Sequence, residues 1–171
     1  QLAVTGVEAL NATQVKVSFN KAVAKTSAET AANYTFNTLD GIATTADSVK
    51  LAADEKSVVV TLSNPASKRY QVKVANVASK AVATETVSYD EVVTFAADTT
   101  APTILGTEQV SSSQVKVKFS EPVQGGTITA KYADGSNVIG LTLNAISTAT
   151  DEYTLDLSNA FVDFDKEIVV T

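Results

Sequence analysis

The stretch QVKVSFNKAV at residues 14–23 recurs in related form as QVKVKFSEPV at residues 114–123, an offset of 100 residues. Gly6 and Glu8 recur at the same offset. A repeat of this length fits one whole β-sandwich domain, because the units of solenoid proteins are only about 20–50 residues long. The sequence therefore predicts two copies of one module, joined end to end.

Apolar and polar residues alternate within the repeated stretch. Val15, Val17 and Phe19 belong to one face of a strand, and Lys16 and Ser18 belong to the other. Such alternation is typical of antiparallel strands that have one face on a core and one face in water. We therefore expect the apolar set to be buried in both copies, the second set being Val115, Val117 and Phe119.

The first copy contains seven stretches with strand character, separated by turn signals such as Asp40-Gly41. They span residues 4–8, 14–20, 34–37, 48–51, 57–62, 69–77 and 86–96. Seven strands in about 95 residues match the size of an immunoglobulin-like domain. Only residues 24–32 favour a short helix, since they are rich in Ala and lack alternation. The predicted fold class is all-β, with two tandem immunoglobulin-like β-sandwich domains.

Three segments follow from the repeat, namely module 1 at residues 1–97, a linker at 98–102 and module 2 at 103–171. Pro102 favours an extended linker, because its ring fixes one backbone angle and biases the preceding residue toward extended geometry. The phrase LSN occurs at residues 62–64 and again at 157–159. This match predicts that module 2 lacks a counterpart of the last strand of module 1. A smaller variant of the module is the alternative.

The composition argues against an enzyme and against a nucleic-acid-binding protein. The chain has 171 residues with no His and no Cys, so the commonest general base and the strongest nucleophile are both absent. Its net charge is −6 and Arg69 is its only Arg, whereas phosphate binding needs clustered Lys and Arg. No apolar stretch approaches the ~20 residues that cross a bilayer. We therefore expect no catalysis, no nucleic-acid partner and no insertion into a membrane.

Two phrases carry a resemblance to a known family, VKFSEPV at residues 117–123 and DTTAP at residues 98–102. With them, the chain resembles the immunoglobulin-like repeats of bacterial surface-layer (S-layer) proteins and related surface adhesins. The resemblance covers both modules. The first module departs from the pattern, because it has NKAV at residues 20–23 where the second has SEPV.

The resemblance implies structural modules that bind no substrate and build a lattice or a stalk outside the cell. The expected function is that of a structural module of a secreted surface-layer protein, which takes part in self-assembly at the bacterial cell surface. The expected partners are other copies of the parent protein and neighbouring immunoglobulin-like domains of the same chain. The alternative is a stalk module of an adhesin, or an accessory module of a secreted polysaccharide hydrolase.

Calcium is the one ligand for which the sequence offers candidate residues, and the resemblance implies it too, since calcium often rigidifies the joints of such modules. A calcium ion takes about six to eight oxygen ligands, which carboxylates and carbonyls supply. Asp98 lies in the linker, with Asp90 and Glu91 just before it, and Glu121 follows the repeated strand of module 2. These residues are the candidate calcium ligands. The alternative is that Asp98 caps a turn.

The densest acidic cluster is DFDKE at residues 163–167, which we interpret as a solvated loop, with cation binding as the alternative. Most aromatic residues lie at strand positions. We therefore expect core packing for Phe19, Phe36, Phe119 and Tyr70.

Overall fold

The computed structural model describes residues 1–126 and 128–171. The chain divides into two compact units, Gln1–Thr100 and Ala101–Thr171. Both units consist of β-strands, and the helical residues within the described ranges are confined to α1 (Lys25–Ala28) and a 3-10 turn (Ala31–Asn33). Neither of these helical segments is long and apolar enough to cross a membrane. The all-β class expected from the alternation is therefore confirmed.

All seven strands expected in unit 1 are present. They are β1 (Val4–Ala9), β2 (Gln14–Phe19), β3 (Tyr34–Thr38), β4 (Ala46–Leu51), β5 (Ser57–Leu62), β6 (Lys68–Ala78) and β7 (Thr86–Phe95). They form two antiparallel sheets, with the strand orders β1-β2-β5-β4 and β3-β6-β7. The helical segments connect β2 to β3, where the Ala-rich composition favours a short helix.

One hydrophobic core lies between the two sheets of unit 1. Val15, Val17 and Phe19 of β2 are buried, as the alternation predicts. They belong to the same cluster of buried side chains as Phe36 of β3 and Tyr70 of β6. Burying one such side chain contributes about 1.5–3 kcal/mol, so this shared core is the main force that holds the two sheets together.

Two buried tyrosines fix the course of the loops around this core. The Tyr34 hydroxyl donates to the carbonyl of Ala28 at 2.7 Å, and the Tyr70 hydroxyl donates to the carbonyl of Ile42 at 2.7 Å. A buried hydroxyl without a partner is costly, so each hydrogen bond favours one path of the loop. Gly41 permits the second contact, because a Cβ at this position would lie 2.6 Å from the Tyr70 hydroxyl oxygen.

Unit 2 has five strands in the part of the chain that the structure describes. They are β8 (Ile104–Gln109), β9 (Gln114–Val123), β10 (Ala130–Tyr132), β11 (Thr150–Asp156) and β12 (Ile168–Val170). One sheet has the order β11-β9-β8, and the other pairs β10 with β12. All pairings are antiparallel.

The opening of unit 2 repeats that of unit 1 in register. Gly6 pairs with Ser18 in the first hairpin, and Gly106 pairs with Lys118 in the second. In both hairpins an irregularity in the register directly precedes the glycine. A third strand pairs with the other edge of the repeated strand in both units: β5 pairs with β2 in unit 1, and β11 pairs with β9 in unit 2. Residues that lie 100 positions apart in the sequence therefore make equivalent strand pairings in the two hairpins.

The repeated strand is less deeply buried in unit 2 than the alternation predicts. Val117 is fully buried, but Val115 and Phe119 are only half-buried, so the prediction that they are buried was wrong for these two. The second sheet of this unit consists of two strands of three residues each. So small a sheet covers less of β9 than β3 and β6 cover of β2.

Candidate functional site

Asp98 fastens the end of unit 1 to an early turn of the same unit. One carboxylate oxygen, Oδ2, accepts a hydrogen bond from the backbone amide of Ala12 at 3.1 Å. The other, Oδ1, accepts one from the amide of Thr100 at 2.8 Å. The second bond is that of a local turn, and the first spans 86 residues of sequence. Asp98 therefore acts as a turn residue and as a link between β1–β2 and the segment that follows β7.

Asp90 and Glu91 lie on opposite faces of β7. Successive residues of a strand point in opposite directions, so the two carboxylates diverge. The Asp90 carboxylate accepts a hydrogen bond from Gln71 Nε2 at 2.8 Å and lies 3.1 Å from Lys73 Nζ. Glu91 is exposed opposite Val72 of β6. This arrangement does not bring the two carboxylates together around one ion.

Glu121, the remaining candidate calcium ligand, lies near the end of β9 in unit 2, where it is half-buried. Within residues 1–126 and 128–171, no three carboxylate side chains are grouped in a way that could hold a metal ion. A calcium ion at Asp98 would thus draw most of its oxygen ligands from backbone carbonyls and water. The calcium site stays a prediction, centred on Asp98.

Glu85, which the sequence pattern does not single out, accepts hydrogen bonds from two distant parts of unit 1. Its Oε1 accepts one from the backbone amide of Leu2 at 2.7 Å. Lys21 Nζ donates to both carboxylate oxygens, at 3.0 and 3.2 Å. The hydrogen bond from Lys21 lowers the pKa of the Glu85 carboxyl, and the amide of Leu2 lowers it further. The same contact raises the pKa of Lys21.

The acidic cluster at residues 163–167 is tied to the turn after β10. Lys166 Nζ lies 2.7 Å from Asp134 Oδ2 and 5.3 Å from the centre of the Tyr132 ring. The Tyr132 hydroxyl accepts a hydrogen bond from the amide of Asp163 at 2.7 Å. The hydrogen bond from Lys166 holds the pKa of Asp134 well below its usual value. The cluster is solvent-exposed, as expected, and it is fastened at both ends rather than loose.

Next to this cluster, unit 2 exposes one aliphatic side chain and two aromatic rings, Ile139, Phe161 and Phe164. We call these three residues the aromatic patch. Their exposed fractions are 70%, 78% and 92%. Ile139 and Phe161 are joined by a backbone bridge. Phe161 and Phe164 also line a groove of about 510 Å³ beside the β8–β9 turn. A contiguous patch of exposed large apolar side chains often marks a surface that binds another protein.

The sequence contains only a weak signal for the patch and none for the bonds of Glu85. Phe161 and Phe164 stand among acidic residues with no alternation, which distinguishes them from the strand aromatics. The hydrogen bond between Leu2 and Glu85 spans 83 residues and follows no local pattern.

No family model matches the chain, but two known proteins are similar to it in sequence. It is 32% identical over 140 residues to the Surface-layer 125 kDa protein of Lysinibacillus sphaericus, a match that covers 81% of the chain. It is 32% identical over 162 residues to the Outer cell wall protein of Brevibacillus brevis strain 47, a match that covers 87% of the chain. The chain spans 11% and 15% of the length of these two relatives.

Among solved structures, domains 1–6 of the surface layer protein SbsC have a similar fold. The TM-score is 0.52 at 16% sequence identity, and the superposition covers 99% of this chain and 25% of that chain. At so low an identity the likeness concerns the fold alone.

Proposed function

Because this chain is a relative of bacterial surface-layer proteins, we propose that it is a structural module of such a protein and contributes to the self-assembly of a lattice. The observation that carries the proposal is the sequence identity with two such proteins over more than four-fifths of the chain. One relative is named for the surface layer and the other for the outer cell wall, which supports a location outside the cell, at the cell surface. Neither relative is named as an enzyme, in keeping with a structural role.

Two immunoglobulin-like modules in tandem are the architecture proposed for this role. In the constant type of that fold, strands A, B, E and D form one sheet in the order A-B-E-D, and C, F and G form the other. The orders β1-β2-β5-β4 and β3-β6-β7 of unit 1 correspond to this arrangement strand by strand. The register shared by the opening hairpins supports the same fold for unit 2.

The aromatic patch of unit 2 is the proposed contact surface, and a second copy of the parent protein is its proposed occupant. A self-assembling protein needs surfaces that lose water when copies meet, and the exposed rings of Phe161 and Phe164 supply such area. A contact between the patch and a different surface of the next copy can repeat from copy to copy without closing into a ring, which supplies one direction of a lattice.

Electron microscopy of the parent protein tests this function. We expect ordered sheets from the unchanged protein, and the double variant Phe161→Ser/Phe164→Ser should need a concentration about tenfold higher to form them. The matched control is Leu39→Ser/Ile42→Ser in unit 1, since these side chains are also exposed, at 52% and 58%. It should assemble normally.

The possible results separate the surface from the function. Normal sheets from the double variant would refute the patch as a contact but not the structural role. Failure of the unchanged parent protein to form ordered sheets, with or without calcium, would refute the lattice function and favour the stalk module of an adhesin.

A further inference from the structure

We propose that unit 1 resists being pulled apart through two carboxylate clasps, which join the segment of its first strand to the segment of its last strand. The Glu85 clasp is the hydrogen bond from the amide of Leu2 to Glu85 Oε1, at 2.7 Å. The Asp98 clasp is the hydrogen bond from the amide of Ala12 to Asp98 Oδ2, at 3.1 Å. Hydrogen bonds from an amide to a carboxylate are roughly twice as strong as those between neutral groups.

The positions of the clasps show how β1 and β7 run. Leu2 lies just before β1 and Glu85 directly precedes β7, and Ala12 and Asp98 follow the same two strands. The clasps thus join start to start and end to end, so the two strands run side by side in the same direction. The strands also contact each other.

The clasps join two sheets that no strand ladder connects at this place. β1 belongs to the sheet β1-β2-β5-β4 and β7 to the sheet β3-β6-β7. Their packing against each other is therefore made by side chains, which slide more easily than a ladder of backbone hydrogen bonds. The two carboxylates supply directional bonds across this seam, one at each end.

A force along the polypeptide loads both clasps together. It enters unit 1 before β1 and leaves it after β7, and these points lie at opposite ends of two strands that run in the same direction. The force therefore slides β1 against β7 along their length. Bonds at both ends of the seam oppose the sliding in parallel, whereas an arrangement that peels strands apart breaks its bonds one at a time.

Lys21 strengthens the Glu85 clasp by holding the carboxylate in place. Its Nζ donates to both oxygens of Glu85, whose side chain is only 20% exposed. Asp98 is oriented in a similar way by the amide of Thr100. Resistance to force matters for a module in a surface coat, and to that extent the inference rests on the structural function proposed above.

Single-molecule stretching of the whole chain tests the clasps. Because the chain has no Cys, a cysteine added at each end provides unique attachment points. At about 3.6 Å per residue, unfolding unit 1 releases up to about 35 nm and unfolding unit 2 up to about 25 nm, so the two events are distinguishable. The measurement is made with a chelator present, which removes any contribution from a bound cation at Asp98.

We expect Glu85→Ala and Asp98→Ala each to raise the unfolding rate of unit 1 under a constant force about tenfold, and the double variant to raise it further. Glu85→Gln provides the measurement if Glu85→Ala does not fold; it keeps an acceptor oxygen but loses the charge that strengthens the hydrogen bonds from Leu2 and Lys21, so its effect should be in the same direction and smaller. Faster hydrogen exchange at the amide of Leu2 in the Glu85 variants, and at that of Ala12 in Asp98→Ala, should accompany the change.

Asp40→Ala is the matched control. Like the Glu85 carboxylate, the Asp40 carboxylate accepts one hydrogen bond from a backbone amide and one from a basic side chain, both of Arg69. It joins the β3–β4 loop to β6, however, and so lies outside the seam between β1 and β7. This variant should leave the rate under force unchanged to within about twofold. Unchanged rates in the Glu85 and Asp98 variants, or an equal effect of Asp40→Ala, would overturn the clasps. Lattice formation by the parent protein is a separate measurement, so either idea can fail alone.

Discussion

At the scale of single residues, Glu85 makes the stability of unit 1 depend on pH. Lys21 and the amide of Leu2 hold the pKa of the Glu85 carboxyl below its usual 4.5. The stabilisation from Glu85 is therefore complete above pH 4.5 and is lost as the pH falls through the lowered pKa of the folded state. Glu85→Gln should accordingly lower the free energy of unfolding near pH 7, and this loss should shrink toward zero in strong acid. Urea unfolding of both proteins over a pH series measures it, and a constant difference would contradict the prediction.

Gly41 gives a second prediction at this scale. A Cβ at position 41 would clash with the backbone carbonyl of Ser67 and would lie 2.6 Å from the Tyr70 hydroxyl oxygen, so Gly41→Ala must shift the Ser67 backbone as well as the Tyr70 ring with its hydrogen bond to Ile42. We expect a loss of about 1–3 kcal/mol in the free energy of unfolding of unit 1. Gly6→Ala is the control, because a Cβ there meets nothing within 4 Å. Equal melting temperatures for the two variants would show that the close packing of Ser67 and Tyr70 against Gly41 is unimportant for stability.

Calcium binding is predicted at Asp98. The carboxylate already orients the amides of Ala12 and Thr100, so a bound ion should change the environment of both amides. Nuclear magnetic resonance during a calcium titration should show both signals moving together, with no movement in Asp98→Asn. Magnesium is the control ion, because it demands a tighter octahedral set of ligands. Signals that do not respond to calcium would refute the calcium site and leave Asp98 as the turn residue and link to Ala12 described above.

At the scale of elements, β2 and β9 provide a natural comparison, since they share a sequence but not an environment. Val15 is completely buried and its counterpart Val115 is half-buried. Val15→Ala should therefore cost about 2 kcal/mol in its unit, and Val115→Ala about half as much. Hydrogen exchange in the core strands of each unit measures both costs in the whole chain. A larger cost for Val115→Ala would mean that the smaller sheet of unit 2 packs more tightly than its burial indicates.

The strands follow from the sequence because alternation is a local signal that burial in a two-sheet core reinforces. Val15, Val17 and Phe19 obey it fully. In unit 2 the alternation of β9 is equally clear, but burial depends on what covers the strand, and that depends on residues far away in sequence. Phe119 is half-buried for this reason, although its sequence context resembles that of Phe19.

The functional residues were harder to predict than the strands, because their contacts join distant segments. Asp98 stands out through its place in the linker, but its bond to Ala12 depends on how the sheets pack. Glu85 and Leu2 have no sequence feature that connects them, and only the fold brings the two ends of the unit together. Exposure of Phe161 and Phe164 is likewise a property of the fold, since an aromatic residue is usually an indication of a core.

At the scale of the whole molecule, the two units differ in the size of their cores. The core of unit 1 contains 19 buried hydrophobic residues, and that of unit 2 contains five, within the described part of the chain. Burial of apolar surface is the dominant favourable contribution to folding, so the smaller core leaves unit 2 closer to the limit of stability. Unit 1 also has the two carboxylate clasps between its first and last strands.

We therefore predict two transitions when the whole chain is heated in a calorimeter, with unit 2 melting at the lower temperature. Val15→Ala should lower only the upper transition, because Val15 belongs to the core of unit 1. Val117→Ala should lower only the other, because Val117 is fully buried in the core of unit 2. These variants assign each transition without separating the units. A single transition that both variants lower would show that the units unfold together, and an upper transition that responds to Val117→Ala would show that core size does not set the order of melting.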